Sequence, residues 1–174
     1  MIKKKISNAF NKQIQHELYS AYLYLSMAAW MHSKGLDGMA QWLRIQTMEE
    51  MTHAMKFFDH IIERDGSVEL LEIEKPPTTW KSPLEAFKAA LKHEQFITGK
   101  INDLVTLSNK ESDYASNSML QWFVDEQVEE EATASKNVQM LEMVGDSGNG
   151  MMMVDRDMGT RAFTMPASKD EGGE

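Results

Sequence analysis

The chain has 174 residues, a formal net charge of −9 and no cysteine. That length supports one domain with a substantial buried core, and the acidic balance argues against general affinity for nucleic acid and favours attraction of cations. Without cysteine there are no disulfides, thiolate nucleophiles, Cys-ligated zinc sites or Cys-ligated iron–sulfur clusters, so any metal must be held by carboxylate, imidazole or amide.

The basic start, MIKKK, is followed by no apolar signal region. The most apolar stretch, LYSAYLYLSMAAWM at 18–31, falls short of the roughly 20 residues needed to cross a bilayer. A soluble, cytoplasmic protein with no membrane partner is expected.

In chain order, apolar residues recurring at steps of three and four predict four long helices. The first runs from about Ser7 to Met31 and the second from about Leu36 to Asp65, stopping at Gly66. The third begins after Ser82, a capping residue, with Pro83 at its first position, and continues to about Asn109. The fourth follows ESD and lasts to about Val144.

Between the second and third helices lies GSVELLEIEKPPTTWK, whose two prolines forbid a continuing helix. A helix of about 28 residues spans about 42 Å, and about 16 extended residues reach about 53 Å. The segment can therefore travel the whole length of a bundle. Short, long, short connections define an all-α four-helix bundle with one crossover, in which helices two and three run parallel.

Residues 1–145 are read as this bundle. Residues 146–174 are read as the rest of a glycine-rich hinge, a short fifth helix over MMMVDRDMGTR at 151–161, and a tail with the composition of a disordered segment. The methionines, including the MMM run, are read as adaptable packing. Gly99, in the middle of the third helix, suggests close packing there.

Following each helix along its inward stripe brings out an anomaly. Helix one gives Phe10, Ile14, Glu17, Ala21, Tyr24, Ala28 and Met31, and helix two gives Leu36, Met39, Leu43, Gln46, Glu50, His53, Phe57 and His60. Helix three gives Leu84, Phe87, Leu91, Glu94, Thr98, Ile101 and Val105, and helix four gives Leu120, Phe123, Gln127, Glu130, Ala134, Asn137 and Leu141. All four stripes are interrupted near their middles by polar groups.

Glu17 and Glu50 are 33 residues apart, as are Glu94 and Gln127, so the chain reads as two helical hairpins with polar groups at matched heights. Glu50 and His53, like Gln127 and Glu130, are three residues apart, about 60° around a helix, and can point at one target. Glu17, Glu50, Glu94 and Glu130 would then converge in the interior, where four unpaired carboxylates are prohibitive. They could take up protons, meet buried Lys or Arg, or hold metal. The stripes contain no Lys or Arg, and two divalent cations would balance the four charges; iron(II), manganese(II) and zinc are all compatible with oxygen ligands and an imidazole. Gln46, His60 and Asn137 are read as lying near the bundle ends or satisfying local hydrogen bonds, Trp122 as packing, and His93 as pointing away from the centre.

ELYSAYLYLSMAAW, EEMTHAMKFFD, KHEQFITGKINDL and LQWFVDEQVEEE, with VDRDMGTR beyond them, resemble the non-haem bacterial ferritins over most of residues 1 to about 161. The resemblance implies a 24-subunit cage that oxidises iron(II) with oxygen or peroxide at an intrasubunit di-iron centre and stores a ferric oxide mineral. It implies that Glu17, Glu50 and His53 bind one iron, with Glu50 bridging, and that Glu94 and Glu130 bind the other. Gln127 would stand beside the centre and Tyr24 would hydrogen-bond a ligand carboxylate. Glu49, Glu126 and Glu129 match a third iron site that shares Glu130. Haem is not expected: Met51 fits the haem position of bacterioferritins, but Glu130 stands where those proteins carry histidine. The other readings are a DNA-protecting miniature ferritin, a different di-metal oxidoreductase, or a metal-free helical interaction module.

Overall fold

The computed structural model describes residues 1–164. Five helices are present among them: α1 Lys4–Ser33, α2 Asp37–Glu63, α3 Pro83–Lys110, α4 Tyr114–Val144 and α5 Gly148–Met158. The all-α architecture with a long connection between α2 and α3 is the expected one. No helix among the described residues is long and apolar enough to cross a membrane. The tail expected to be disordered lies outside the described residues from 165 onward.

Local chemistry explains the helix ends. The Ser82 hydroxyl accepts the Glu85 N–H at 3.2 Å, with Pro83 in the first turn, and Asp113 does the same for Ser116 at the start of α4. Helix α1 begins earlier than its apolar rhythm suggested, because Ile2 and Ile6 are buried and the Ile2 N–H donates to the Arg64 carbonyl at 2.7 Å. The lysines of MIKKK are thus drawn into the start of the bundle.

Two expectations about the C-terminal region need correction. Helix α5 covers 148–158 rather than 151–161, since Ser147 caps it by accepting the Gly150 N–H at 3.2 Å; a cap of this kind is worth about 1 kcal/mol and offsets part of the glycine cost. Of the three consecutive methionines only Met151 packs against the core, while Met152 and Met153 are exposed.

The segment between α2 and α3 is pinned along α1. Near one end of α1, the Asn11 amide donates to the Ser67 carbonyl at 3.1 Å and accepts the Glu69 N–H. Further along, Gln15 bonds the Glu72 carbonyl, Ser26 donates to the Pro77 carbonyl at 2.6 Å, and Trp30 meets Trp80 edge-on. These contacts carry the crossover along the bundle and set α2 and α3 parallel.

Helix α1 packs on α2 and α3 on α4, while α5 lies against α2 and α4. The apolar interior is divided in two. One cluster holds Met27, Met31, Met39, Leu43, Phe87 and Leu141, among others; the other holds Ile6, Phe10, Phe57, Ile61, Ile101 and Phe123. The inward stripes of α1 and α4 are buried throughout. On α3 the expected Phe87, Glu94 and Ile101 are buried, but Ala90, Ile97 and Leu104 are buried where Leu91, Thr98 and Val105 were expected. Small Ala86 and Ala90 share the inner face there with Phe87, so side-chain size does not mark every residue of the face that packs most closely. A Cβ at Gly99 would meet nothing within 4 Å; that residue is exposed, and close packing within the chain is not the reason for it.

A carboxylate belt as candidate metal centre

Between the two apolar clusters the four helices bury Glu17, Glu50, His53, Glu94, Gln127 and Glu130, each no more than 6% exposed. The residues sit at mid-helix, where the backbone N–H groups are already bonded within the helix, so these acids must find side-chain partners.

Glu17, Glu50 and His53 each offer a ligand atom, all within 4.8 Å of one another. His53 Nδ1 is 3.4 Å from Glu50 Oε2, and its other ring nitrogen, Nε2, faces Glu126 Oε1 at 3.9 Å. A second group of His53, Glu126 and Glu130 meets the same 4.8 Å limit, so the imidazole stands between two clusters. Trp122 and Phe123 pack edge-on against its ring, and the Lys56 ammonium lies over Trp122 at 4.2 Å.

Glu94 is outside both groups, with its carboxylate held by neighbours. The Tyr24 hydroxyl donates to its Oε1, and the Gln127 amide donates to its Oε2 at 3.4 Å, to its carbonyl at 3.3 Å and to Thr98 Oγ1 at 3.2 Å. Across the belt, Gln13 donates to Glu17 Oε1 at 2.8 Å, while Glu17 Oε2 is buried with no partner.

Electrostatics follow from burial. Loss of water and the nearby Glu50 push the Glu17 carboxyl up to about 8. Glu130 is raised to about 8 by burial and Glu94, and Glu94 to about 7 chiefly by burial, with the Tyr24 and Gln127 hydrogen bonds opposing the rise. Glu50 lies well above the usual carboxylate range because burial, Glu94 and Glu130 all disfavour its charge. A belt with an unpartnered oxygen and four raised carboxyls is destabilised as an anion, and a bound divalent cation removes that cost.

Two residues outside the expected ligand set meet the belt. Gln46 lies in the belt and not near a bundle end, and it satisfies hydrogen bonds there, the other reading given for it: its Nε2 donates to Glu130 Oε2 at 2.7 Å and lies 3.5 Å from Glu50 Oε1. Its place four residues before Glu50, matching Gln13 before Glu17, is the signal that could have revealed it. Among the described residues no Lys or Arg forms an ion pair with Glu17, Glu50, Glu94 or Glu130, in line with the stripes, but Arg161, beyond α5, reaches the edge of the belt, donating to Gln46 Oε1 at 2.8 Å and to Glu49 Oε2 at 2.5 Å. No helical stripe contains Arg161, so periodicity could not find it.

Of the residues matched to a third iron site, Glu126 faces His53, Glu49 is paired with Arg161, and Glu129 is exposed and in neither cluster. His93 turns from the belt to Ser20 Oγ at 2.8 Å and stacks on Phe96. His60, by contrast with Gln46, makes the local contact expected of it near a bundle end, with Ser116 Oγ at 3.1 Å.

Parallel second and third helices, one long crossover and carboxylates gathered at mid-bundle define the class of ferritin-like helical bundles. A model of the ferritin-like domain family matches residues 7–144. The bacterial non-haem ferritin of Campylobacter jejuni is 40% identical over 156 residues, covering 90% of this chain and 93% of its own. That of Bacteroides fragilis is also 40% identical, over 161 residues, covering 92% of this chain and 100% of its own. Among solved structures, a closed form of the Archaeoglobus fulgidus ferritin made by site-directed mutagenesis superimposes with a TM-score of 0.93 at 45% identity, covering 94% of this chain and 100% of the other. The chain belongs to the ferritin family.

Proposed function

We propose that this protein stores iron, oxidising iron(II) at the carboxylate belt and holding the ferric product inside a closed assembly of its own copies. What carries the reading is the convergence of Glu17, Glu50, His53, Glu94 and Glu130 from all four helices into a buried belt whose acids are raised and, at Glu17 Oε2, unpartnered. Family membership supports storage as the role.

In this reading iron is substrate and cargo. Glu17, Glu50 and His53 bind one iron(II), with Glu50 bridging towards a second bound by Glu94 and Glu130. Each iron gives up one electron to oxygen or peroxide, and the iron(III) is hydrolysed and passed on. The protein's contribution is electrostatic preparation: buried acids, too costly to ionise alone, become favourable as positive charge arrives. Tyr24 and Gln127 orient Glu94, and Gln46 orients Glu130, so the second iron meets ligands already aimed. Glu126, with Glu49 and Glu129, forms an outlying third site next to the first two. The assembly is proposed to be a cytoplasmic 24-subunit cage that carries no haem.

The test adds iron(II) to the metal-free protein and follows oxygen uptake, growth of the ferric absorbance and sedimentation. The expected results are rapid oxygen consumption, a mineral core and a species of about 480 kDa, from chains of 19.9 kDa. A folded protein that neither consumes oxygen nor builds a core overturns the oxidase reading, and a folded monomer or dimer overturns the cage.

A further inference from the structure

Helix α5 ends beside the belt. It is anchored on the first turn of α2, where Asp155 Oδ1 accepts the Met39 N–H at 2.8 Å. Two glycines let the backbones approach: a Cβ on Gly38 would lie 1.7 Å from the Asp155 carbonyl oxygen, and one on Gly159 would lie 3.1 Å from Gly38 Cα. Two residues past Gly159, the Arg161 guanidinium stacks over Trp42 at 4.5 Å and spreads its fork across Gln46 and Glu49. Trp42, Gln46 and Glu49 are spaced to share one face of α2, so a single side chain covers all three.

We propose that Arg161 is a positioning residue and a latch for the metal centre: it fixes the direction of the Gln46 amide towards Glu130, and it occupies Glu49 so that the outlying cation site stays closed while the latch is engaged. This rests on the metal-centre reading of the belt. The first part follows from donor and acceptor chemistry. A guanidinium only donates, so the amide beside it must turn Oε1 towards Arg161, which leaves Nε2 to donate to Glu130 Oε2. The second part follows from charge. A guanidinium at 2.5 Å from Glu49 Oε2 neutralises the carboxylate that an incoming cation would need. Arg161 itself lines a cavity of about 210 Å³ together with Trp42, Lys136, Asn137, Asp157 and Thr160, so the side chain borders open space.

The experiment titrates the assembled, iron-free, full-length protein with cobalt(II), reading stoichiometry and affinity by calorimetry and ligand-field absorption, so that no turnover is needed. Arg161→Ala is expected to tighten cobalt(II) at the outlying site on the order of tenfold and to weaken the Glu130 half of the centre several-fold. Arg161→Lys, a single point charge that cannot span both partners, is expected to keep the outlying site closed but to leave the Glu130 half weakened. Glu49→Gln in the Arg161→Ala background is expected to abolish the gain. Should Arg161→Ala fail to fold, Arg161→Gln, which keeps a donor and loses the charge, carries the same test. Isotherms of folded Arg161 variants that match the wild type overturn the latch while the centre stands, provided Glu50→Ala still abolishes binding. If Glu50→Ala also leaves binding unchanged, the centre and the latch fall together.

Discussion

The two hairpins contribute unequal halves to the belt. On the α1–α2 side, each glutamate has a glutamine four residues earlier on its own helix: Gln13 bonds Glu17 firmly at 2.8 Å, and Gln46 reaches Glu50 only at 3.5 Å. On the α3–α4 side those positions are Ala90 and Glu126, and the acids are held from other helices, Glu94 by Tyr24 and Gln127 and Glu130 by Gln46. The first half keeps an unpartnered oxygen on Glu17, whereas both oxygens of Glu94 have donors. One half therefore keeps an oxygen without a donor, while the Glu94 carboxylate of the other is braced in advance by hydrogen bonds.

Removing the residue that joins the halves gives the largest expected effect. Glu50→Ala should lower the iron(II) oxidation rate at least about 100-fold, since in the proposed centre both irons would lose a ligand; stopped-flow absorbance after iron(II) addition measures it, and a surviving fast phase removes Glu50 from the bridging role.

Next comes the response of the metal-free protein to pH. The folded-state values of Glu17, Glu94 and Glu130, about 8, 7 and 8, stand above the ordinary value of 4.5, so between these limits the folded state binds more protons than the unfolded. Stability is then full below about pH 4.5 as far as these groups are concerned and falls as pH rises towards 8. Thermal melts from pH 5 to 8 should show a declining Tm, and a saturating redox-inert cation should flatten the decline. A flat profile without cation would mean that the belt is already compensated.

Gln127→Glu makes the second hairpin resemble the first by adding a carboxylate and removing the donor to Glu94. The metal-free protein should lose about 1–3 kcal/mol in denaturant melts, with recovery when cation is added. An unchanged metal-free melt would show that Gln127 is not bracing Glu94. The smallest expected effect is that of Tyr24→Phe, which should cost about 1 kcal/mol and slow oxidation modestly, with weaker cation binding in the second half only. Equal weakening in both halves would erase the contrast between them.

The same contrast separates what could be read along the chain from what could not. Helix existence, the crossover and the inward faces of α1 and α4 followed from apolar spacing, because a long amphipathic helix writes its packing face at a period of 3.6 residues. Spacing was only half right on α3, where Ala86 and Ala90 join the expected Phe87, Glu94 and Ile101 on the buried face, and it missed the start of α5, where the Ser147 cap decides the boundary. Glu17, Glu50, Glu94 and Glu130 stood out because an acid in a core register is anomalous wherever it occurs. Gln46 looked unremarkable there, since an amide is tolerated in many settings and only its neighbours give it a task.

By itself the sequence determined the four-helix architecture, the level at which carboxylates interrupt the core, and membership of a family whose pattern spans nearly the whole chain. The tertiary structure alone decided which donor meets which acid and that Arg161, far along the chain, reaches Glu49 and Gln46. The reason is physical: periodicity encodes which face of an element is buried, whereas hydrogen-bond partners depend on ångström-scale distances between elements that meet only after the bundle has closed.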